Sequence, residues 1–212
     1  GRIVRAMPNT PALVGKGMTC LFARAEVSHE GKVLIERVIG TTGQLLWVDA
    51  EDKLDAVTAL SGSGPAYVFL FLESMTQAGV DMGLTAEQSY QLAVATFQGA
   101  SELAARSDEP AAVLRERVTS KGGTTYAAIT HMQQTGVPEH FIAALRKAEA
   151  RAKELAAEFG KYASRPVSAA NKKPRQRHRC GAFSLSSQYA VSATQIRLKC
   201  LKRSSCLCSG SC

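Results

Sequence analysis

The sequence predicts a mainly α-helical chain that opens with the edge of an α/β sheet. Three observations carry this reading: β-like runs are confined to the first fifty residues, helical spacing governs the stretch from Glu51 to Phe159, and composition breaks abruptly after Gly160. They divide the 212 residues into 1–50, 51–160 and 161–212.

In the first segment, "GRIVRAM" and "GMTCLFA" are short β-like runs, "EGKVLIERVIG" has helical spacing ended by Gly40, and "QLLWVDA" is a further strand. Three strands and one helix make a poor domain alone, so this segment is expected to close a sheet whose earlier strands lie upstream of Gly1. From Glu51 the pattern is helical. Pro65 suits the first turn of a helix through "AYVFLFLESMTQAG", and the unbroken apolar run Val68 to Leu72 predicts burial on nearly all sides. Thr85 with Gln88 forms a capping-box pattern before a helix reaching about Arg106. Pro110 opens a short helix ending near Val118, and another runs from Thr124 or Thr125 to Gln134, closed by Gly136. Pro138 starts a last helix to Phe159, with Phe141, Leu145, Ala148, Ala152, Leu155 and Phe159 on one face. So much apolar helix in so small a region exceeds what one subunit covers, which points to association.

The formal charge of +8 is unevenly spread. Residues 161–212 carry 11 of the 26 Lys+Arg and no acid, leaving 15 basic against 18 acidic residues before them. Cysteine divides likewise: Cys20 is alone in the first 160 residues, and five more lie in the tail. One cysteine in such a body suits a reducing compartment, so a cytoplasmic location is expected. No apolar stretch approaches the length of a membrane span, and "GRIVRAMPNT" has no signal-like core.

No dinucleotide fingerprint is present: "GSGPAY" from Gly62 lacks the last glycine and follows a helix-like segment. GxxxxGK[ST], HExxH and CxxC are also absent, and no metal site is expected. The stretch "SGSGPAY", Ser61 to Tyr67, reads as tight helix packing, with Ser63 facing a ligand as the alternative. "RAMPNTP", Arg5 to Pro11, ends a strand, and carboxyl ends of strands are where open α/β sheets bind ligands. In "RVTSKGGTTYAAI", Arg117 to Ile129, Gly122 and Gly123 permit unusual backbone, and Thr124 and Thr125 can cap the helix behind them. The amides at that helix start suit a carboxylate or a phosphate, although a plain capped turn is the default reading of the spacing.

"RAMPNTPALVGKGMT", "DAVTALSGSGPAYVFLFLESM", "GLTAEQSYQLAVATFQGA" and "LRERVTSKGGTTYAAI", in this order, resemble pyrroline-5-carboxylate reductase from about Gly1 to Gly160. The resemblance implies the C-terminal remnant of a Rossmann domain at 1–50, followed by an all-helical dimerisation and substrate-binding domain at 51–160. It implies reduction of the cyclic imine 1-pyrroline-5-carboxylate to L-proline with NADPH or NADH, in a homodimer that assembles into a pentamer of dimers. It also implies that half of the cofactor domain lies outside this chain. Carried over by motif, Ser120, Gly122, Gly123, Thr124 and Thr125 hold the substrate carboxylate, and Thr125 is the catalytic residue beside the ring nitrogen. Met7, Pro8, Asn9 and Arg117 fall on the cofactor side. Lys121 stands where the family often has proline.

The tail resembles nothing in that family. Its Ser, Arg and Cys bias lacks periodicity and its cysteine spacing fits no common zinc pattern, so disorder or non-native translation is expected there. Two other functions compete with the reductase: an oligomerisation module without catalysis and, less favoured, nucleic-acid binding through the tail.

Overall fold

A computed structural model describes residues 1–163 and 194–197, with side chains described as far as residue 158. These form two compact units, one of residues 1–57 with the distant strand 194–197, the other beginning at Thr58.

The first unit is a four-stranded sheet in the order β3-β2-β1-β4. β1 (Ile3–Met7) and β2 (Gly17–Ala23) pair antiparallel, with Val4 opposite Ala23 and Met7 opposite Cys20. β3 (Gly43–Trp47) runs parallel to β2, and the crossover this requires is α1 (His29–Ile39). Ser28 caps α1 by accepting the Gly31 N–H at 3.3 Å. Because side chains alternate along a strand, the sheet builds two clusters. Val4, Ala6 and Leu21 pack with Val27 and Ile35, and Met7 and Cys20 pack with Leu54 of α2 (Lys53–Val57). Trp47 joins β3 to α1: its indole N–H donates to Glu36 at 2.7 Å, and the Lys32 ammonium lies 5.4 Å from its ring centroid. Glu51 accepts from Arg5 at 2.9 Å, fastening the segment after β3 to the sheet.

β4 (Thr194–Arg197) pairs antiparallel with β1, Ile3 opposite Arg197 and Ala6 opposite Thr194. The expectation of a tail without regular structure is therefore corrected for these four residues. Two of them, Thr194 and Ile196, are β-branched types that favour strands, and β1 otherwise presents an edge of unpaired backbone groups. The expected disorder of the remaining tail, and its cysteines, lie outside the described residues.

The second unit begins with a π-helical turn, Thr58–Gly62, that leads into α3 (Gly64–Asp81). The Tyr67 hydroxyl donates to the Ala59 carbonyl at 3.1 Å, satisfying a backbone oxygen in the wide turn. α4 (Ala86–Arg106) starts with both hydrogen bonds of the expected capping box. It packs against α3 where Gly79 meets the buried Ser89; a methyl group on Gly79 would stand 2.4 Å from the Ser89 hydroxyl oxygen. α5 (Ala111–Arg117), α6 (Thr124–Gln134) and α7 (Val137–Ala163) complete the unit. On α7, Leu145, Ala148, Ala152 and Leu155 are half-buried, as their spacing predicts. Phe71 lies 6.4 Å from Phe97 and 5.9 Å from Phe141, centroid to centroid, so an aromatic cluster ties α3, α4 and α7 together.

Burial of α3 on nearly all sides is not what a single chain achieves. Phe69 and Leu70 remain 58% and 60% exposed, and Val68, Phe71 and Met75 are exposed as well. The other four helices of the unit, α5 and α6 among them short, do not surround α3.

Two results would check the sheet. Gly43 has φ 142°, and a methyl group there would lie 2.1 Å from the Gly17 carbonyl oxygen, so Gly43→Ala is expected to lower stability by about 2 kcal/mol or more in denaturant melts. Burial pushes the Cys20 thiol pKa up, outweighing the Leu21 amide that lowers it. The neutral thiol should therefore resist iodoacetamide at pH 7, and the Cys20 peptide should label rapidly only after denaturation.

Candidate functional site

The loop between α5 and α6 is built on two glycines held for different reasons. Ser120, Lys121, Gly122 and Gly123 form a tight turn closed by the Gly123 N–H on the Ser120 carbonyl at 3.0 Å. Gly122 occupies its third position with φ 78°, the left-handed value that a type II turn requires there. Gly123 has ordinary extended φ, but a methyl group on it would stand 2.7 Å from the Ser120 hydroxyl oxygen. The first glycine makes the turn possible, and the second leaves room for the serine hydroxyl.

Gly123 is the N-cap of α6 and contributes no side chain, so the expectation that Thr124 or Thr125 caps this helix is corrected. Both threonines lie inside the first turn, one and two positions too late to cap. The first helical bond runs from the Ala127 N–H to the Gly123 carbonyl, so the amides of Thr124, Thr125 and Tyr126 have no acceptor within the helix. Among the described residues, the hydroxyls of Ser120, Thr124 and Thr125 also make no hydrogen bond. Flanking hydroxyls behave differently: Thr119 donates to the Arg115 carbonyl at 2.6 Å and Thr135 to that of His131 at 2.9 Å. A glycine-opened helix start with free amides, the positive end of a helix dipole and three uncommitted hydroxyls can hold a carboxylate and orient one further polar atom.

Arg117 ends α5 three residues before this loop, and its guanidinium is forked on Glu109, Nη2 to Oε1 at 2.6 Å and Nη1 to Oε2 at 2.5 Å. The sequence spacing of eight residues gave no sign of this partner. Met7, Pro8 and Asn9 belong to the other compact unit, at the carboxyl end of β1. Asn9 accepts the Met18 N–H on its side-chain oxygen at 2.8 Å, bracing the loop between β1 and β2, whose short 3-10 helix spans Thr10–Val14. Ser63 precedes Gly64 at the junction of the π-turn and α3, and its N–H donates to the Thr58 carbonyl at 2.8 Å. A side chain at Gly64 would meet nothing within 4 Å, so the described residues show no tight packing at that glycine.

A cavity of about 200 Å³ opens in the helical unit between Phe71, Arg115, Met132 and Phe141. None of the loop residues 120–125 lines it. Sequence reasoning did not find it, because its wall is drawn from four helices whose apolar positions look like ordinary core. Among the described residues no cluster of His, Cys, Asp or Glu could hold a metal, and no helix is long and apolar enough to cross a membrane.

Comparison with known proteins bears on both units. Residues 51–155 match the family described as pyrroline-5-carboxylate reductase dimerisation. The pyrroline-5-carboxylate reductase of Pseudomonas aeruginosa is 44% identical over 158 residues, covering 74% of this chain and 58% of that protein. The Arabidopsis thaliana reductase is 36% identical over 154 residues, covering 73% and 55%. Among solved structures, the reductase of Coxiella burnetii superimposes with a TM-score of 0.71 at 44% identity, covering 73% of this chain and 57% of its own. That of Plasmodium falciparum, solved with NADP bound, gives 0.68 at 33% identity, covering 71% and 59%. The chain thus spans less than three fifths of the length of these relatives.

The loop geometry can be checked by melting curves. Gly122→Ala is expected to cost about 1 kcal/mol for its left-handed backbone. The loss in Gly123→Ala should instead shrink when Ser120→Ala is added, and additive losses would show that the hydroxyl is not what Gly123 makes room for.

Proposed function

Because the chain belongs to the pyrroline-5-carboxylate reductase family, we propose that it carries the substrate side of an NAD(P)H-dependent reductase that converts 1-pyrroline-5-carboxylate to L-proline, the last step of proline biosynthesis. The observation that carries this reading is the α6 start, with its free amides and uncommitted hydroxyls. Ser120, Gly122, Gly123, Thr124 and Thr125 hold the substrate carboxylate, by hydroxyl and by backbone N–H. Thr125, half-buried in the first turn, stands beside the ring nitrogen. A threonine hydroxyl is too weak an acid to protonate an imine, so Thr125 orients a nitrogen that solvent protonates. Acceleration then comes from placing the imine carbon rather than from covalent catalysis.

A reduced nicotinamide, NADPH or NADH, supplies the hydride when bound. The residues present fit one end of such a group. Met7, Pro8 and Asn9 stand at the carboxyl end of a strand, and the Asn9–Met18 hydrogen bond stiffens the loop there. No stretch of the 212 residues supplies a glycine fingerprint for the pyrophosphate. We assign Met7, Pro8, Asn9 and Arg117 to the cofactor side.

We read residues 1–50 as the C-terminal edge of the dinucleotide-binding domain, 51–160 as the dimerisation and substrate-binding domain, and 161–212 as a tail outside the catalytic body. The exposed apolar run on α3 supports a homodimer through the helical segment, and we take the assembly to be a pentamer of dimers. One cysteine in the first 160 residues supports a cytoplasmic location.

A second reading, an oligomerisation module without turnover, is favoured by the family match to 51–155. Titration with NADPH and assay with the cyclic imine separate the two: binding with turnover removes the module reading, and dimers that neither bind NADPH nor turn over remove the reductase. Thr125→Ala is expected to lower turnover about tenfold to a hundredfold, while shifting the melting temperature by less than about 2 °C. Unchanged turnover would take Thr125 out of the site.

A further inference from the structure

The loop that opens α6 depends on where α5 ends, and α5 is only seven residues long. A helix that short is not stable by itself, and no side chain caps its start at Pro110. Its last turn leaves through two backbone bonds, Val118 N–H to Arg115 and Thr119 N–H to Glu116, and the turn of Ser120–Gly123 follows directly. Across the length of α5 lies the forked pair of Glu109 and Arg117. Among the described residues it is the only ion pair with a member between 107 and 136. Glu109 is itself anchored, since its N–H donates to the Ser107 hydroxyl at 3.1 Å just after α4. A chain of contacts therefore runs from Ser107, just after α4, through Glu109 to Arg117, three residues before the loop.

A two-point fork fixes orientation as well as distance, because both terminal guanidinium nitrogens and both carboxylate oxygens are engaged. We propose that Glu109 is a positioning residue: by forking Arg117 across α5, it sets the position of the Ser120–Gly123 turn and so the affinity of the site for the substrate carboxylate. The substrate part of this inference rests on the reductase reading; the strut itself rests on the ion-pair geometry alone.

The test uses the 212-residue chain and two readouts. Amide hydrogen exchange of residues 118–123 without ligand reports the strut, and calorimetric titration with L-proline, the proposed product, reports the site. Glu109→Gln keeps size and one acceptor but removes the charge. It is expected to speed exchange in the turn about fivefold and to raise the Kd for L-proline by a similar factor, the scale of a well-formed exposed pair. The exchanged pair Glu109→Arg with Arg117→Glu rebuilds the fork in reverse and should return both values to within about twofold, while neither single reversal does. A merely stabilising pair would move the melting temperature without changing exchange in the turn.

If Glu109→Gln leaves exchange in the turn unchanged, or the reversed pair exchanges as fast as the single variants, the strut is overturned. If exchange responds and recovers but the Kd for L-proline does not follow, Glu109 shapes the loop without positioning substrate, and the proposal fails. If the unmodified chain does not bind L-proline while exchange responds and recovers, the strut stands and the reductase reading of this loop falls.

Discussion

The helical unit is organised by an apolar surface larger than the chain can cover. α3 places aromatic and aliphatic side chains around most of its circumference, and only part of that surface meets α4 and α7 through the Phe71, Phe97 and Phe141 cluster. Gly79 is needed for α4 to approach at all, because any side chain there would meet Ser89. The rest of the unit follows from this constraint. α7 lies along the π-turn, and α5 and α6 are short helices suspended between longer ones. The Ser120–Gly123 loop is thus held by peripheral elements rather than by a deep core, with the Glu109–Arg117 fork spanning the short helix before it.

The elements were legible because their signals are local. The β2 run "GMTCLFA" forms a strand with those bounds, and the Thr85–Gln88 capping box forms both of its bonds. α6 ends where Gly136, with φ 72°, leaves the helix. What escaped depended on contacts distant in sequence. The pairing of Thr194–Arg197 with β1 links residues almost two hundred positions apart, and no periodicity in four residues signals it. The π-turn at Thr58–Gly62 reads from sequence as ordinary helix followed by glycines. Tyr67 reaches back to its Ala59 carbonyl, a contact visible only once α3 has a direction.

The site was legible in composition but not in detail. Two adjacent glycines before two threonines announced a turn leading into a helix start, and residues 120–125 form one. Their division of labour was hidden, since one glycine answers to a backbone angle and its neighbour to a serine hydroxyl. Capping by Thr124 or Thr125 was a fair reading of propensity, yet the turn geometry gives the cap position to Gly123. A helix left without a side-chain cap keeps its first amides for something else, and that vacancy in the hydrogen-bond pattern is the physical content of the site.

Trp47 is the only tryptophan in the 212 residues, and it belongs wholly to the sheet unit, where its indole is fixed by Glu36 and Lys32. Tryptophan emission is therefore a private optical channel for that unit, whereas far-ultraviolet ellipticity is dominated by the helices of the other. A mismatch between the two signals on heating would time the melting of each unit separately, with no label attached to the chain.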